Sequence, residues 1–255
     1  MTEVHFLSDG PDDAPVVVLA GSLGSTLEMW DPQVAALAER FRVVRYDHRG
    51  HGKSPVVSGP FELADLGGDV VELLDRLGAE RAHVVGLSLG GMVGMWLAAN
   101  APERVDRLAL LCTSSLMGPA SAWTDRAALV RAEGTGAVAA AVVDRWVTPE
   151  YAAAHPDVVA RLREMVAGTP AEGYAACCEV IARMDLTADL AAITAPTLAI
   201  AGADDPATPP VHLETIVAGV ADGRLAVLDE AAHLASFQQA PAVNRLLLEH
   251  LGAPR

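Results

Sequence analysis

Two patterns of apolar residues alternate along the chain: short continuous runs, and longer segments in which apolar residues recur every three or four positions. The short runs predict buried strands in the segment leading into Ser88 and at residues 15–20, 41–47, 105–112, 197–202 and 224–229. The longer segments predict helices at residues 27–40 and 61–77, and a terminal helix through Leu247. Strands that alternate with helices indicate an α/β fold with a mostly parallel sheet covered by helices.

The alternation stops between residues 119 and 184. This segment has Ala-rich helical stretches separated by glycines and prolines, and it shows no strand pattern. We therefore predict an α/β core formed by residues 1–118 and 185–255, with residues 119–184 inserted as a helical cap over the carboxyl edge of the sheet. The 255 residues of the chain fit one large domain of this kind.

The stretch HVVGLSLGGMVGMWLAAN, residues 83–100, begins as a strand and continues as a helix. The segment from Ala82 to Pro102 contains no Asp, Glu, Lys or Arg, and it is long enough to suggest a membrane span. Its four glycines and its strand-like start favour instead a buried strand followed by a buried helix. Gly86 and Gly90 flank Ser88 in a Gly-x-Ser-x-Gly pattern, which allows a strand and a helix to approach closely at a sharp turn. Ser88 is therefore a candidate nucleophile at the carboxyl end of a strand.

Composition narrows the classes of function. The formal net charge of −15 argues against nucleic acid and anionic membranes as partners, since both favour basic surfaces. Three cysteines, two of them adjacent, do not form a disulfide framework, and the first ten residues lack the pattern of a signal peptide. No Cys/His spacing is typical of a metal site. We expect a cytoplasmic enzyme without a metal.

A serine nucleophile needs a histidine as base and a carboxylate that orients it. Three histidines follow the last two predicted strands, and His233 lies directly after the final strand in LDEAAHLASF, whereas His212 and His250 lie in helical segments. The segment GADDPATPP follows strand 197–202 and offers Asp204 and Asp205, although Asp and Pro are also common in ordinary turns.

An oxyanion hole needs two backbone N–H groups directed at the developing negative charge. The residue after the nucleophile, Leu89, is the first candidate donor. The loop GSLGS follows strand 15–20, and within it we predict Ser22 as the second donor.

With these pieces in place, the chain resembles the α/β-hydrolase superfamily over nearly its full length, through DHRGHGKS, GLSLGG, GADDPATPP and AAHLASFQQ. Ala20 departs from the pattern, because many members carry His before the glycine of the oxyanion loop. More narrowly, the chain is similar to the 3-oxoadipate enol-lactonases of the β-ketoadipate pathway of aromatic catabolism. This similarity is carried by AGSLGS, RYDHRGHGKS, W-x-x-R, DRWVT, EGYAACCEVI and DDPATPP.

The resemblance implies that Ser88 attacks the lactone carbonyl, that His233 accepts and returns the proton, and that no cofactor is used. The family spacing G-x-x-D-x-x-x-P selects Asp205 as the acid. The implied substrate is a small anion, so the cap should supply cations and pocket walls. The candidate cations are Arg126 and Arg145, and the candidate pocket walls are Trp123 and Trp146. The ordinary alternative for a cap arginine is a position in solvent, and for a tryptophan it is packing in the core.

Other functions fit the same motifs. A generic carboxylesterase or a cofactor-free perhydrolase would use the same triad under a different cap, and so would a hydrolase that cleaves carbon–carbon bonds. A non-catalytic ligand receptor on this fold is a further alternative, which an intact set of Ser, Asp and His disfavours. The sequence leaves open the oligomeric state, the motion of the cap and the breadth of the substrate range.

Overall fold

A computed structural model describes residues 3–57 and 59–252. Seven strands form one sheet: β1 (Phe6–Asp9), β2 (Val16–Ala20), β3 (Arg42–Tyr46), β4 (Ala82–Leu87), β5 (Val105–Leu111), β6 (Thr197–Gly202) and β7 (Gly223–Leu228). The α/β architecture predicted from the alternating pattern is confirmed. The apolar-run pattern missed β1, a short edge strand whose residues are all partly exposed, so that it carries no continuous apolar run.

The strand order is β1-β3-β2-β4-β5-β6-β7, and every pair is parallel except the antiparallel pair of β1 and β3. Strands β2 to β7 coincide with the six apolar runs of the sequence, and β4 is buried along its whole length. Strands β2 and β4 are neighbours in the sheet, but the chain continues from them toward opposite edges: β2 leads to β3 on one side, and β4 leads to β5 on the other. Ligands of open α/β sheets bind at the carboxyl ends of strands beside such a switch point. The loop after β2 and the turn after β4 both lie there.

In the described residues, eleven α-helices surround the sheet or cap it. Those of the core are α1 (Asp31–Ala38), α2 (Leu63–Arg76), α3 (Leu89–Asn100), α9 (Pro210–Gly219), α10 (Ala235–Gln238) and α11 (Ala240–Leu251). Helix α2 begins with a capping box, because the Glu62 side chain accepts from the third backbone N–H while the Asp65 side chain accepts from Glu62 N–H. Helix α3 packs against β2, β4 and β5 and has no charged residue.

The remaining five helices form a separate layer between β5 and β6: α4 (Ala120–Glu133), α5 (Gly136–Trp146), α6 (Pro149–Ala154), α7 (Pro156–Ala167) and α8 (Ala171–Arg183). One segment of the chain leads from the core into this layer and another leads back, and an antiparallel β-bridge between Leu116 and Asp185 joins the two segments. Backbone contacts hold the layer on the core: the Leu234 N–H donates to Trp146 O at 2.6 Å, and Gly50 lies directly against Gly173. The layer therefore covers the carboxyl edge of the sheet.

Within residues 3–57 and 59–252, no helix is long and apolar enough to cross a membrane. Helix α3 and the strand before it, which raised that possibility in the sequence, are buried inside the domain.

Candidate active site

Ser88 occupies a strained turn between β4 and α3. Its φ of 56° and ψ of −115° lie outside the regions that L-residues favour. The turn closes only because its neighbours lack side chains: a Cβ on Gly86 would lie 2.2 Å from Gly90 O, and a Cβ on Gly90 would lie 2.1 Å from Ala20 O. Ser88 is partly exposed although the strand before it and the residues after it are buried. The strain therefore presents this hydroxyl at the end of the sheet.

The loop after β2 lies beside that turn. Gly90 N–H donates to Gly21 O at 2.9 Å, which ties the loop to the first turn of α3. Leu89 is the first residue of α3, where backbone N–H groups have no acceptor within the helix. The Ser22 N–H, predicted as the second oxyanion donor, is instead directed at Met29 Sδ, 3.2 Å away.

Asp205 and His233 form a buried acid–base pair. His233 Nδ1 lies 2.8 Å from Asp205 Oδ2, and both side chains are at most 5 % exposed. The other carboxylate oxygen, Oδ1, accepts from the backbone N–H groups of Ala207 and Thr208, and the Thr208 hydroxyl donates to Oδ2 at 2.7 Å. Burial would raise the pKa of Asp205, but His233 and the Thr208 donors outweigh it and lower that pKa to about 2. The carboxylate is therefore held ionised beside the imidazole.

Asp204 faces a different environment from its neighbour. It is exposed, and it lines an outer cleft of about 920 Å³ together with Glu150 and Glu230. Its N–H donates to Ala231 O at 2.9 Å. Consecutive residues at this strand end thus point to opposite sides, and only Asp205 reaches His233.

The other two histidines from the late part of the chain have partners elsewhere. His250 Nε2 lies 3.0 Å from Leu108 O in the interior, and burial lowers the pKa of His250 to about 4. His212 Nδ1 lies 2.7 Å from Ser114 Oγ. Neither of them lines the cavity that holds Ser88.

Ser88 and His233 line one cavity of about 260 Å³ between the core and the cap, and Ser22 contributes to its wall. In the described part of the chain, Ser88 Oγ makes no hydrogen bond to His233, a contact that often tightens only when substrate binds. The cavity joins the strained serine to the imidazole of the acid–base pair. This arrangement is suited to nucleophilic acyl transfer.

All four cap residues that the sequence put forward line this cavity: Trp123 and Arg126 on α4, and Arg145 and Trp146 on α5. The Arg126 guanidinium carbon lies 4.7 Å from the centre of the Trp123 ring. Burial and the neighbouring Arg126 lower the pKa of Arg145 below its ordinary value. The two guanidinium groups thus place positive charge in a partly desolvated pocket.

Sequence reasoning missed several groups around the cavity. Tyr174 on α8 lines it, and burial raises the pKa of this phenol to about 12 against the effect of nearby Arg126 and Arg145. Thr208, which lies beside both Asp205 and His233, also lines it. Met92 and Met117 add apolar wall. The only sequence signs were the motifs EGYAACC and DDPATPP, which do not by themselves assign a role to these side chains.

Among the residues that the structure describes, no group of three His, Cys, Asp or Glu side chains is arranged to hold a metal ion. The three cysteines are free and buried.

Comparison with known proteins places the chain in a family. A family model described as the alpha/beta hydrolase fold matches residues 14–240. The chain is 38 % identical to 3-oxoadipate enol-lactonase 2 of Acinetobacter baylyi over 94 % of this chain and 90 % of that protein. It is 35 % identical to a protein of Variovorax paradoxus named as a candidate carbamate hydrolase, RutD, over 97 % of this chain and 96 % of the relative.

Among solved structures, the chain is similar to the enol-lactonase of Burkholderia xenovorans, with 40 % identity and a TM-score of 0.96 over 99 % of this chain and 97 % of that one. These matches confirm the resemblance that the sequence motifs indicated. The chain belongs to the α/β-hydrolase family, and the enol-lactonases are among its relatives within it.

Proposed function

We propose that the protein hydrolyses 3-oxoadipate enol-lactone to 3-oxoadipate, with Ser88, His233 and Asp205 as its catalytic triad. The observation that carries this proposal is the pair of arginines, Arg126 and Arg145, in the cavity that holds Ser88. A hydrolase for neutral esters has no need of two cations beside its nucleophile. An enol-lactone that bears a carboxylate needs such a partner.

The charges of the cap support this assignment. Two of its surface arginines are neutralised by ion pairs, Arg131 by Glu172 and Glu179 and Arg163 by Asp144. Within residues 3–57 and 59–252, no carboxylate forms an ion pair with Arg126 or Arg145. Two neighbouring cations in a half-buried site repel each other and gain when an anion binds between them. In a chain with a net charge of −15, these groups provide the local attraction that an anionic substrate requires.

The proposed reaction follows from the geometry of the core. Ser88 Oγ attacks the lactone carbonyl while His233 takes the hydroxyl proton, and Asp205 stabilises the resulting imidazolium. Backbone N–H groups of Leu89 and of the loop after β2 stabilise the oxyanion. Collapse of the tetrahedral intermediate breaks the ring C–O bond, and His233 protonates the departing enolate oxygen to give the enol, which converts to the ketone. Water activated by His233 then hydrolyses the acyl-enzyme.

The setting of this reaction is also part of the proposal. The ligand is a small anionic molecule. Nucleic acid and anionic membranes are disfavoured as partners, because both bind basic surfaces and this chain has a net charge of −15. A reducing compartment such as the cytoplasm suits three free, buried cysteines. The relatives named as enol-lactonases support the substrate class, and aromatic catabolism is the process in which such a lactone is formed.

The decisive experiment compares kcat/KM for the enol-lactone with kcat/KM for p-nitrophenyl acetate. We expect a strong preference for the enol-lactone. Ser88→Ala should abolish both activities, and a fluorophosphonate should label the wild-type protein once, at Ser88. An equal or reversed preference would instead favour a general esterase, and labelling absent from Ser88 would reject the nucleophile.

The same panel should include peracid formation and a carbamate. The Variovorax paradoxus relative is named as a candidate carbamate hydrolase and covers almost the whole chain. Faster hydrolysis of a carbamate than of the enol-lactone would move the assignment to that class while leaving the triad in place.

A further inference from the structure

The base loop, residues 229–234, joins β7 to α10 and carries His233. Its first part is strained, because Glu230 has a φ of +55°, which is uncommon for a residue with a side chain. A conformation of this kind persists only where the surrounding contacts hold it. The position of the His233 imidazole therefore depends on the groups that bind the backbone of this loop.

The residues on either side of His233 are each held by a group outside the base loop. Ala232 N–H, on one side, donates to Oε1 of Gln238 at 2.8 Å. Leu234 N–H, on the other side, donates to Trp146 O of the cap at 2.6 Å. Both Ala232 and Leu234 are buried, so their N–H groups need acceptors within the protein. His233 thus lies between one N–H bound by a side chain and one bound by the backbone of the cap.

The Gln238 amide has two further contacts besides Ala232 N–H. Its Nε2 group donates to Thr148 Oγ1 at 3.1 Å, and it lies 3.4 Å from Glu230 O, the carbonyl of the strained residue. Thr148 is a buried cap residue at the start of α6. One side chain on α10 therefore connects the strained residue, the backbone before His233 and the cap.

We propose that Gln238 is a positioning residue for the general base, because it fixes the backbone before His233 so that the imidazole faces Ser88. Asp205 orients the imidazole through Nδ1 but does not hold the backbone that carries it. The proposal rests on His233 being the base, as in the proposed function. Gln238 lines the outer cleft and, among the described residues, is not part of the wall of the cavity that holds Ser88. It therefore acts through the base loop and not on the substrate.

Two variants of similar size test this role. Gln238→Leu has no hydrogen-bonding group for Ala232 N–H or Thr148. Gln238→Glu keeps an acceptor for Ala232 N–H, and its second oxygen can accept from the Thr148 hydroxyl. We expect kcat for p-nitrophenyl acetate to fall by about 10–100-fold in Gln238→Leu, since a displacement of about 1 Å at a catalytic group can cost about 10²-fold. Gln238→Glu should stay within a few-fold of the wild type, and KM should be similar in all three proteins.

Gln239 provides the matched control. It is the adjacent glutamine, it lines the same outer cleft, and its Nε2 group donates to Asp229 O and Glu230 O of the base loop. Gln239→Leu therefore removes contacts of the same kind but keeps the acceptor of Ala232 N–H, and its kcat should stay within a few-fold of the wild type. Thermal unfolding shows whether each variant is folded. Fluorophosphonate titration, taken to completion, counts the active sites so that kcat refers to each of them.

A role confined to stability predicts a lower unfolding temperature in Gln238→Leu with an unchanged kcat per active site. That outcome would overturn the proposal, and so would a Gln239→Leu or Gln238→Glu variant as slow as Gln238→Leu. If Gln238→Leu does not fold, Gln238→Asn takes its place, because its amide is one methylene too short to reach both Ala232 N–H and Thr148.

A His233→Ala variant separates this proposal from the proposed function. If His233→Ala remains active, the base is wrong and the proposed function fails. If His233→Ala is inactive while Gln238→Leu matches the wild type, the base stands and only the role of Gln238 is rejected. Because the assay uses p-nitrophenyl acetate, its result does not depend on whether the enol-lactone is the natural substrate.

Discussion

The core and the cap meet at one cavity, but they hold their functional groups in different ways. In the core, backbone geometry does most of the positioning: a strained turn presents Ser88, and two N–H groups fix the Asp205 carboxylate. In the cap, the side chains of Arg126 and Arg145 extend from the helices α4 and α5, and helix packing positions them.

The two regions also differ in charge balance. The core carboxylate Asp205 is paired with His233 and accepts hydrogen bonds from Thr208 and Ala207, which together hold it ionised. The cap cations Arg126 and Arg145 face the cavity without a carboxylate in the described residues. This contrast indicates that the core supplies the chemistry and the cap selects the substrate. Changes in the core should therefore lower the rate for every ester, whereas changes in the cap should alter the choice among esters.

The largest effect is expected from Asp205→Asn. An amide cannot stabilise the imidazolium of His233 and favours the wrong tautomer, so kcat should fall by about 10⁴ for both the enol-lactone and p-nitrophenyl acetate. Steady-state kinetics on both substrates measure this loss. The matched control is Asp204→Asn, because Asp204 is the adjacent residue and faces the outer cleft. Near-normal activity in Asp205→Asn with an inactive Asp204→Asn would contradict the geometry.

A smaller and selective effect is expected from Arg145→Met and Arg126→Met. Each removes a charged partner worth about 1.5–3 kcal/mol, so the preference in kcat/KM for the free acid over its neutral methyl ester should fall by roughly 10–100-fold. Activity on the methyl ester should change little. Arg163→Met serves as the control, because Arg163 is paired with Asp144 on the cap surface. If both cavity variants keep the full preference for the acid, the cap does not read the carboxylate through these groups.

Thr208→Val tests how far the core depends on donors to Asp205. The variant loses the hydroxyl that donates to Oδ2, so the free energy of unfolding at neutral pH should fall by about 1.5–3 kcal/mol. The hydroxyl stabilises the ionised form and lowers the pKa of Asp205 from 3.8 to about 2 together with His233. The deficit should therefore be complete above pH 4 and shrink as pH falls toward 2, because the protonated acid has no charge to stabilise.

Denaturant unfolding at several pH values measures this deficit, and Thr208→Ser should restore most of the stability. A deficit of the same size at every pH would show that the methyl packing, rather than the hydrogen bond, is responsible.

The smallest effect at neutral pH is expected from His51, whose contribution emerges only as a change in pH dependence. Burial lowers the pKa of His51 from 6.5 to about 4, so the unfolded chain binds a proton that the folded chain rejects. The stability from this group is complete above pH 6.5 and is lost as pH falls toward 4. His51 Nε2 accepts a hydrogen bond from Gly24 N–H at 3.0 Å. His51→Gln keeps an acceptor for this N–H but does not titrate. Between these pH values its free energy of unfolding should decline less steeply than that of the wild type, by up to about 1.4 kcal/mol per pH unit.

Unfolding midpoints across this pH range give the slope. The wild type, measured under the same conditions, is the reference. A His51→Gln slope equal to that of the wild type would show that His51 is protonated in the folded state.

The sequence predicted the fold well because its signals are local. Continuous apolar runs located six of the seven strands, since buried parallel strands need apolar residues on both faces. The edge strand β1 escaped because its four residues, Phe6–Asp9, end in Ser8 and Asp9 and form no apolar run, whereas the other edge strand, β7, keeps an apolar run although it is also partly exposed. For the site, Ser88, His233, Ser22 and the four cap residues named from the sequence line one cavity, and Asp205 contacts His233 beside it. Tyr174 also lines this cavity but was not named from the sequence. It enters the cavity from α8, and only the packing of α8 against α4 places it there.

By itself, then, the sequence determined the order of strands and helices, the turn at Ser88 and the loops that bear Asp205 and His233. Each of these follows from apolar periodicity or from glycines that a close approach requires, which are properties of neighbouring residues. The tertiary structure decided which aspartate faces His233, and that Arg126 and Arg145 line the cavity that holds Ser88. These depend on contacts between residues far apart in the chain, because a side chain's direction and a donor's acceptor are set only when the core and the cap have packed together.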